Sequence, residues 1–317
     1  MTAQQRLVKV IDLIEDHLSE SLYVDQLAES VNWSRWQLQR TFQTRFGYSV
    51  AQYYRHRRLS AAAICLIQTE QQILDIALTF GFDNQQSFSR AFNQYFGLAP
   101  KRYRLRGELI GLFPRLDPTL LVHSYGDTLM EPTIVTHAAK TLWGMNTRFN
   151  APGSSTPNNM QVLPDLWRRF QIQLEQQQIQ KQVFWGVVDS STANDQLEGL
   201  TYWTAFESEK ALSCKGMERL DVPEQTYACF IHRGPISAIE RTLSAIFRDW
   251  LPNSEYRHTG GPELELYDER FAFEHPDSVL EYWVPVENSV EYVPLVDHLL
   301  WQSKMRAVAD TTAPSLH

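Results

Sequence analysis

Apolar residues in the first hundred positions recur at helical spacing and are broken by short polar turns. Leu7, Val10, Ile11, Ile14 and Leu18 form one such stripe. "VDQLAESV" starts a second helix after a turn. "SRWQLQRTFQTRF" predicts a third, with Ser34 as its N-cap and Gly47 just past its end. "VAQYYRHRRLSAAAICLIQ" predicts a long fourth helix over 50–68, alanine-rich and without breakers. "QQILDIALTFGF" and "DNQQSFSRAFNQYFG" predict another short pair, with Gly81 in the turn, Asp83 or Asn84 as cap and Gly97 at the end. From residue 131 the pattern changes. Runs rich in β-branched and aromatic residues ("KQVFWGVVD", "LTYWTAFE", "VLEYWVPVE") alternate with helical ones ("NNMQVLPDLWRRFQIQLEQQ", "PISAIERTLSAIFRDWL"). The expected organisation is an all-α domain over 1–106, a linker over 107–130, an α+β domain over 131–287 and a tail over 288–317.

The helical part repeats itself. Arg40, Phe42, Phe46-Gly47 and Tyr53 recur as Arg90, Phe92, Phe96-Gly97 and Tyr103, all 50 positions later. Each copy reads helix, tight turn, helix, the helix-turn-helix pattern. Within the second copy Phe88, Phe92 and Phe96 stack on one helix face and belong to a core. Gln85, Gln86, Ser89 and Arg90 fall mainly on another side. In the first copy Trp36, Gln39 and Arg40 share a face apart from Leu38 and Phe42. Both helices are thus expected to expose a short cluster of Gln and Arg without lysine or carboxylate. Arg can grip guanine N7 and O6, and Gln can pair with adenine N6 and N7, so the composition suits the edges of bases.

Charge sharpens this division. Residues 1–106 carry 13 Lys and Arg against 9 Asp and Glu, whereas residues 107–317 carry 16 against 28. A basic first third joined to an acidic remainder points to two domains with different partners, and the overall charge of −8 does not argue against nucleic acid. Arg55, Arg57 and Arg58, with Lys101, Arg102, Arg104 and Arg106, are candidates to neutralise phosphates. No apolar run is long enough to cross a membrane, and the opening segment has no apolar core of signal-peptide length, so a cytoplasmic protein is expected. Cys65, Cys214 and Cys229 lie far apart and fit reduced thiols. The scattered histidines, among them His232, His258 and His275, form no metal or triad arrangement. No cofactor, metal or catalytic residue is expected.

Residues 5–106 resemble the DNA-binding domain of the AraC/XylS family, in particular its MarA, SoxS and Rob subset. "SRWQLQRTF" and "GFDNQQSFSRAFNQYFGLAPKRYR" carry the likeness. The resemblance implies DNA contacts from Trp36, Gln39 and Arg40 in the first recognition helix. In the second it implies Gln85, Gln86 and Arg90, with Ser87 where the subset has Thr. Arg55, Lys101 and Arg102 are the expected backbone anchors. Two motifs on one linker helix would enter successive major grooves roughly 34 Å apart and let a monomer read about 20 bp of double-stranded DNA. The implied protein is an activator with RNA polymerase as a partner.

The acidic remainder holds Trp143, Trp167, Trp185, Trp203, Trp250 and Trp283. On the strand "VLEYWVPV", Glu281 stands between Val279 and Trp283. A carboxylate there needs either a structural partner such as Arg or a cationic ligand. "LELYDERF", "YWTAFE" and the E-x3-P-V of Glu281 to Val286 resemble the GyrI-like effector-binding domain, in the domain order of Rob-type regulators. That resemblance implies an α+β pair of β-α-β-β units around an aromatic pocket. A lipophilic, cationic small-molecule effector would meet Glu281 there, with Trp185, Tyr202, Trp203, Tyr267 and Trp283 as walls. Two other readings stay open for this domain. One is a hydrolase in which Glu281 or Glu265 activates water; the other is a protein-interaction module that binds no ligand.

Overall fold

In the computed structural model residues 1–118, 131–180, 183–208 and 216–289 are described. The helical half runs α1 (Ala3–Asp16), α2 (Val24–Ser30), α3 (Arg35–Phe46), α4 (Val50–Gln68), α5 (Ile73–Thr79), α6 (Gln85–Phe96) and α7 (Pro100–Arg106). The caps explain the boundaries. Ser34 accepts from the Gln37 amide at 3.1 Å and Asn84 from the Ser87 amide at 2.8 Å. Gly47 and Gly97 end the two helices at φ of 77° and 69°, a region that favours glycine. Ser49 and Gln52 close a capping box at the start of α4. Tyr53 of α4 sits in a first core with Leu7, Ile11, Leu38 and Phe42. Leu59, Ala62 and Leu66 of the same helix join a second with Ile76, Phe88, Phe92 and Tyr103. One continuous helix therefore fixes the two motifs relative to each other.

The segment after α7 does not run free. Phe113 and Leu116 pack on the first core and Leu112 on the second, and the Phe113 amide donates to Ser60 Oγ at 2.8 Å. The rest of the expected linker, residues 119–130, the tail from 290 and Cys214 lie outside the described residues. Cys65 and Cys229 are free thiols, and burial raises the Cys229 thiol to about 12. Among the described residues no helix is long and apolar enough to cross a membrane.

The second half runs β1 (Thr133–His137), β2 (Lys140–Phe149), α8 (Asn159–Gln176), β3 (Phe184–Asp189), β4 (Leu200–Glu207), β5 (Glu218–Val222), β6 (Gln225–Arg233), α9 (Ile239–Ser244), β7 (Tyr256–His258), β8 (Glu263–Tyr267) and β9 (Val279–Asn288). A wider π-helical stretch (Ala245–Trp250) and then a tighter 3-10 turn (Leu251–Asn253) prolong α9. The strands pair antiparallel in the order β1-β6-β9-β8-β3-β4-β2-β5, with β7 beside β9. Two β-α-β-β units, β2-α8-β3-β4 and β6-α9-β8-β9, meet where β3 pairs with β8, Gly186 opposite Glu265. Alternation divides each strand between two faces. Leu200 and Tyr202, Phe206, and Tyr282 and Val284 face α8 and α9; Trp185, Val187, Leu264 and Trp283 face the other way.

Candidate functional site

The two helix-turn-helix motifs are equivalent in sequence but not in surroundings. On α6, Gln85, Gln86 and Arg90 are exposed and Ser87 is half-buried. On α3, Gln37 is 0%, Gln39 2%, Trp36 6% and Arg40 6% exposed. The expectation that both clusters face solvent is therefore corrected for the first. Its polar face is covered by the second domain, a contact the repeat pattern carries no signal for. Trp36 Nε1 donates to Glu263 Oε1 at 2.5 Å, and the indole joins the core formed by Phe149, Leu166, Val188 and Tyr202. The His258 amide donates to Gln37 Oε1 at 3.0 Å and Thr41 Oγ1 to the Phe247 carbonyl at 3.0 Å. The Arg40 guanidinium lies 4.7 Å from the Phe247 ring centre, and Arg35 and Gln39 both reach Asp195 Oδ1, at 3.0 and 3.2 Å.

The candidate backbone anchors divide as well. Arg57 is tied to Glu15, Arg58 lies over Tyr54 and Phe82, and Arg104 donates to the carbonyls of Leu66 and Gln71. Arg55, Lys101 and Arg102 are exposed.

In the second domain the expected pocket residues do not form one wall. Trp185, Trp203, Trp283 and Glu281 stand on the sheet face away from the helices, whereas Tyr202 and Tyr267 stand on the helix face. Glu281 is held there by an ion pair with Arg270, by Trp283 Nε1 at 3.0 Å and by Cys229 Sγ at 3.4 Å. It has the structural partner that its strand position allowed for, so a ligand need not supply one. The helix face carries a different carboxylate, Glu265. Tyr202 and Tyr267 donate to its Oε2 at 2.5 and 2.8 Å, and Trp167 Nε1 of α8 donates to the Tyr202 hydroxyl at 3.2 Å. Burial pushes the Glu265 carboxyl up; the tyrosyl hydrogen bonds oppose this and neighbouring Glu263 adds to it. Yet Glu265 and Trp167 keep part of their surface open. A Cβ at Gly186 would come within 2.3 Å of the Tyr202 hydroxyl and 2.5 Å of Glu265 Oε2, so only glycine leaves room for this cluster.

Glu263, two residues back on the same face, is sealed at 2% exposure. His258 Nε2 is 3.2 Å away, and the Tyr282 hydroxyl donates to its other oxygen. Burial alone would raise this carboxyl. The bond and charge of His258, the charge of Arg40 and the Tyr282 bond together hold it below the usual range. "ELELY" carried a signal for the pair, two acids at strand period 2, but nothing in the sequence says what covers each. Among the described residues no group of three His, Cys, Asp or Glu could hold a metal ion.

Residues 130–287 match the family described as the GyrI-like small molecule binding domain, and residues 27–106 match a helix-turn-helix domain family. The chain is similar to the transcriptional regulator Rob of Salmonella typhimurium, 28% identical over 260 residues, which is 80% of this chain and 87% of that protein. It is 40% identical over 106 residues to the regulatory protein SoxS of the same organism, covering 33% of this chain and 99% of SoxS. It is 44% identical over 91 residues to the right origin-binding protein of Escherichia coli, 29% of this chain and 32% of that protein.

Proposed function

The chain belongs to the AraC-type helix-turn-helix transcription regulators, and from that premise we propose that α3 and α6 read DNA in successive major grooves while the second domain senses a lipophilic aromatic cation at Glu265. The observation that carries the sensing half is the Glu265 cluster. A carboxylate set among Tyr202, Tyr267 and Trp167, partly open and costly to leave ionised without a partner, favours a cation with aromatic faces. Gln85, Gln86, Ser87 and Arg90 supply base contacts from α6, and Trp36, Gln39 and Arg40 supply them from α3. Arg55, Lys101 and Arg102 neutralise phosphates. The regulator acts as an activator in the cytoplasm, with RNA polymerase as its partner on DNA.

The domain is a sensor and not an enzyme. Both tyrosyl hydroxyls donate to one oxygen of Glu265, which suits charge stabilisation more than proton abstraction from water. Calorimetry of the full chain with tetraphenylphosphonium tests the reading. Saturable binding is expected, lost in Glu265→Gln and absent for the neutral triphenylphosphine oxide. Equal binding of the neutral probe, or undiminished binding by Glu265→Gln, would remove Glu265 from the site.

A further inference from the structure

The most unusual surface in this molecule is a polar helix face with no solvent. Gln37, Gln39, Trp36 and Arg40 are buried, while the matching residues of the second motif stand open. Their cover is the acidic and aromatic groove between α8 and the helical turns after α9. Glu263, His258 and Tyr282 form its floor and Phe247 one wall. Into this groove α3 inserts an indole that donates to the floor carboxylate, next to a delocalised cation lying on an aromatic ring. An aromatic body joined to a positive charge is the chemistry proposed above for the free effector. The neighbouring Glu265 stands on the same strand face, two residues away.

We propose that Trp36 and Arg40 are a tethered ligand of the second domain: the groove over Glu263 and Glu265 holds either the first recognition helix at Glu263 or an aromatic cation at Glu265, not both, and only the first state withholds that helix from DNA. The trigger rests on the effector reading given above; the masking rests on the contacts alone. One face of α3 cannot hold Glu263, Asp195 and the Phe247 carbonyl while lying in a major groove. The docked state also retains a cost. Gln37 Nε2 and Arg40 Nε are buried without a protein partner, so the seam is closed but not fully satisfied, which lowers the cost of releasing it. A cavity of about 280 Å³ opens beside the docked helix, lined by Ser34, Trp36, Gln39, Ser190 and Gly260. It offers an incoming ligand an edge at which to start.

The test uses the full chain with Gln39→Cys, read by thiol labelling at that one peptide, with Gln86→Cys as the exposed reference. The thiol introduced at position 39 is expected to label at least about tenfold more slowly than the one at position 86. It should approach the reference rate when Glu263→Gln or Asp195→Ala is added or tetraphenylphosphonium is supplied. In parallel, chains with native α3 are titrated with a duplex selected from a random pool by the full chain. Asp195→Ala, a partly exposed residue of the second domain whose loss should spare folding, is expected to tighten DNA binding, as is tetraphenylphosphonium. Rapid labelling at position 39 in the otherwise unaltered chain overturns the proposal, as does unchanged DNA affinity in Asp195→Ala. Calorimetry separates the two readings. If tetraphenylphosphonium binds but leaves the position-39 thiol protected, effector sensing stands and the tethered ligand falls. If it does not bind at all, the effector reading fails and the competition fails with it.

Discussion

Glu263 and Glu265 share a strand face and little else. The first is sealed beneath Trp36 and carries neighbours that favour its ionised form; the second keeps part of its surface open and is pushed toward its neutral form by burial. A carboxyl whose folded value lies above its unfolded one stabilises the fold fully below the unfolded value. That contribution is lost as pH rises through the folded value. Glu265→Gln should therefore be more stable than the parent at neutral pH, with the gap closing as pH falls toward the ordinary 4.5. Urea unfolding at a series of pH values measures this, and a constant gap would remove Glu265 ionisation as its cause. The same ionisation governs binding with the opposite trend, since the charge that costs stability attracts the cation. Cation affinity of the parent should rise with pH from 4.5 upward, while Glu265→Gln should bind no cation at any pH in the series. Such a site gives up stability to keep a charge where function uses it.

Helices α3 and α6 are the same element twice, and their different surroundings separate two substitutions that look equivalent in sequence. Arg90→Ala should cost about 1–3 kcal/mol of specific DNA binding, because Arg90 is exposed on α6 and the proposed base contact is what its truncation removes. Arg40→Ala would remove the proposed DNA contact but also the guanidinium that lies on Phe247 and steadies Glu263, so release of α3 would offset part of its cost. In the full chain Arg40→Ala is expected to cost less than Arg90→Ala. With tetraphenylphosphonium saturating, the two costs should converge. Equal costs without the cation would mean that α3 is already free. The helices, caps and tandem motifs were legible because local signals fix them: Ser34, Asn84, Gly47 and Gly97 stand where the chain turns. The strand phase of Glu281 was legible too, but not which carboxylate faces the helices. That depends on how two β-α-β-β units register across β3 and β8. What covers α3 depends on contacts more than two hundred residues apart in sequence, such as Trp36 to Glu263 and Gln37 to His258, and no local pattern encodes these.

At the scale of the molecule, a basic domain is docked against an acidic one through the helix that should enter DNA. Residues 107–317 carry 28 acidic against 16 basic side chains, so docking hides α3 and also sets negative charge beside the path of the phosphates. Both effects lower the number of phosphates the docked chain can neutralise. The proposed contacts from α6, Lys101 and Arg102 would remain available, because those residues are exposed, whereas those from α3 would not. Counterion release makes the logarithm of the binding constant fall linearly with that of salt, by about 0.9 for each phosphate neutralised on duplex DNA. Release of α3 should therefore steepen the salt dependence and not merely raise affinity at one salt. With tetraphenylphosphonium, or in Asp195→Ala, the slope should grow more negative by about 1 for each phosphate contact regained. Titration of a selected duplex across a range of salt concentrations gives the slopes directly. Tighter binding at an unchanged slope would mean that the cation acts on the shape of an already engaged complex. A steeper slope in both cases would mean that the second domain regulates by returning one recognition helix to its groove.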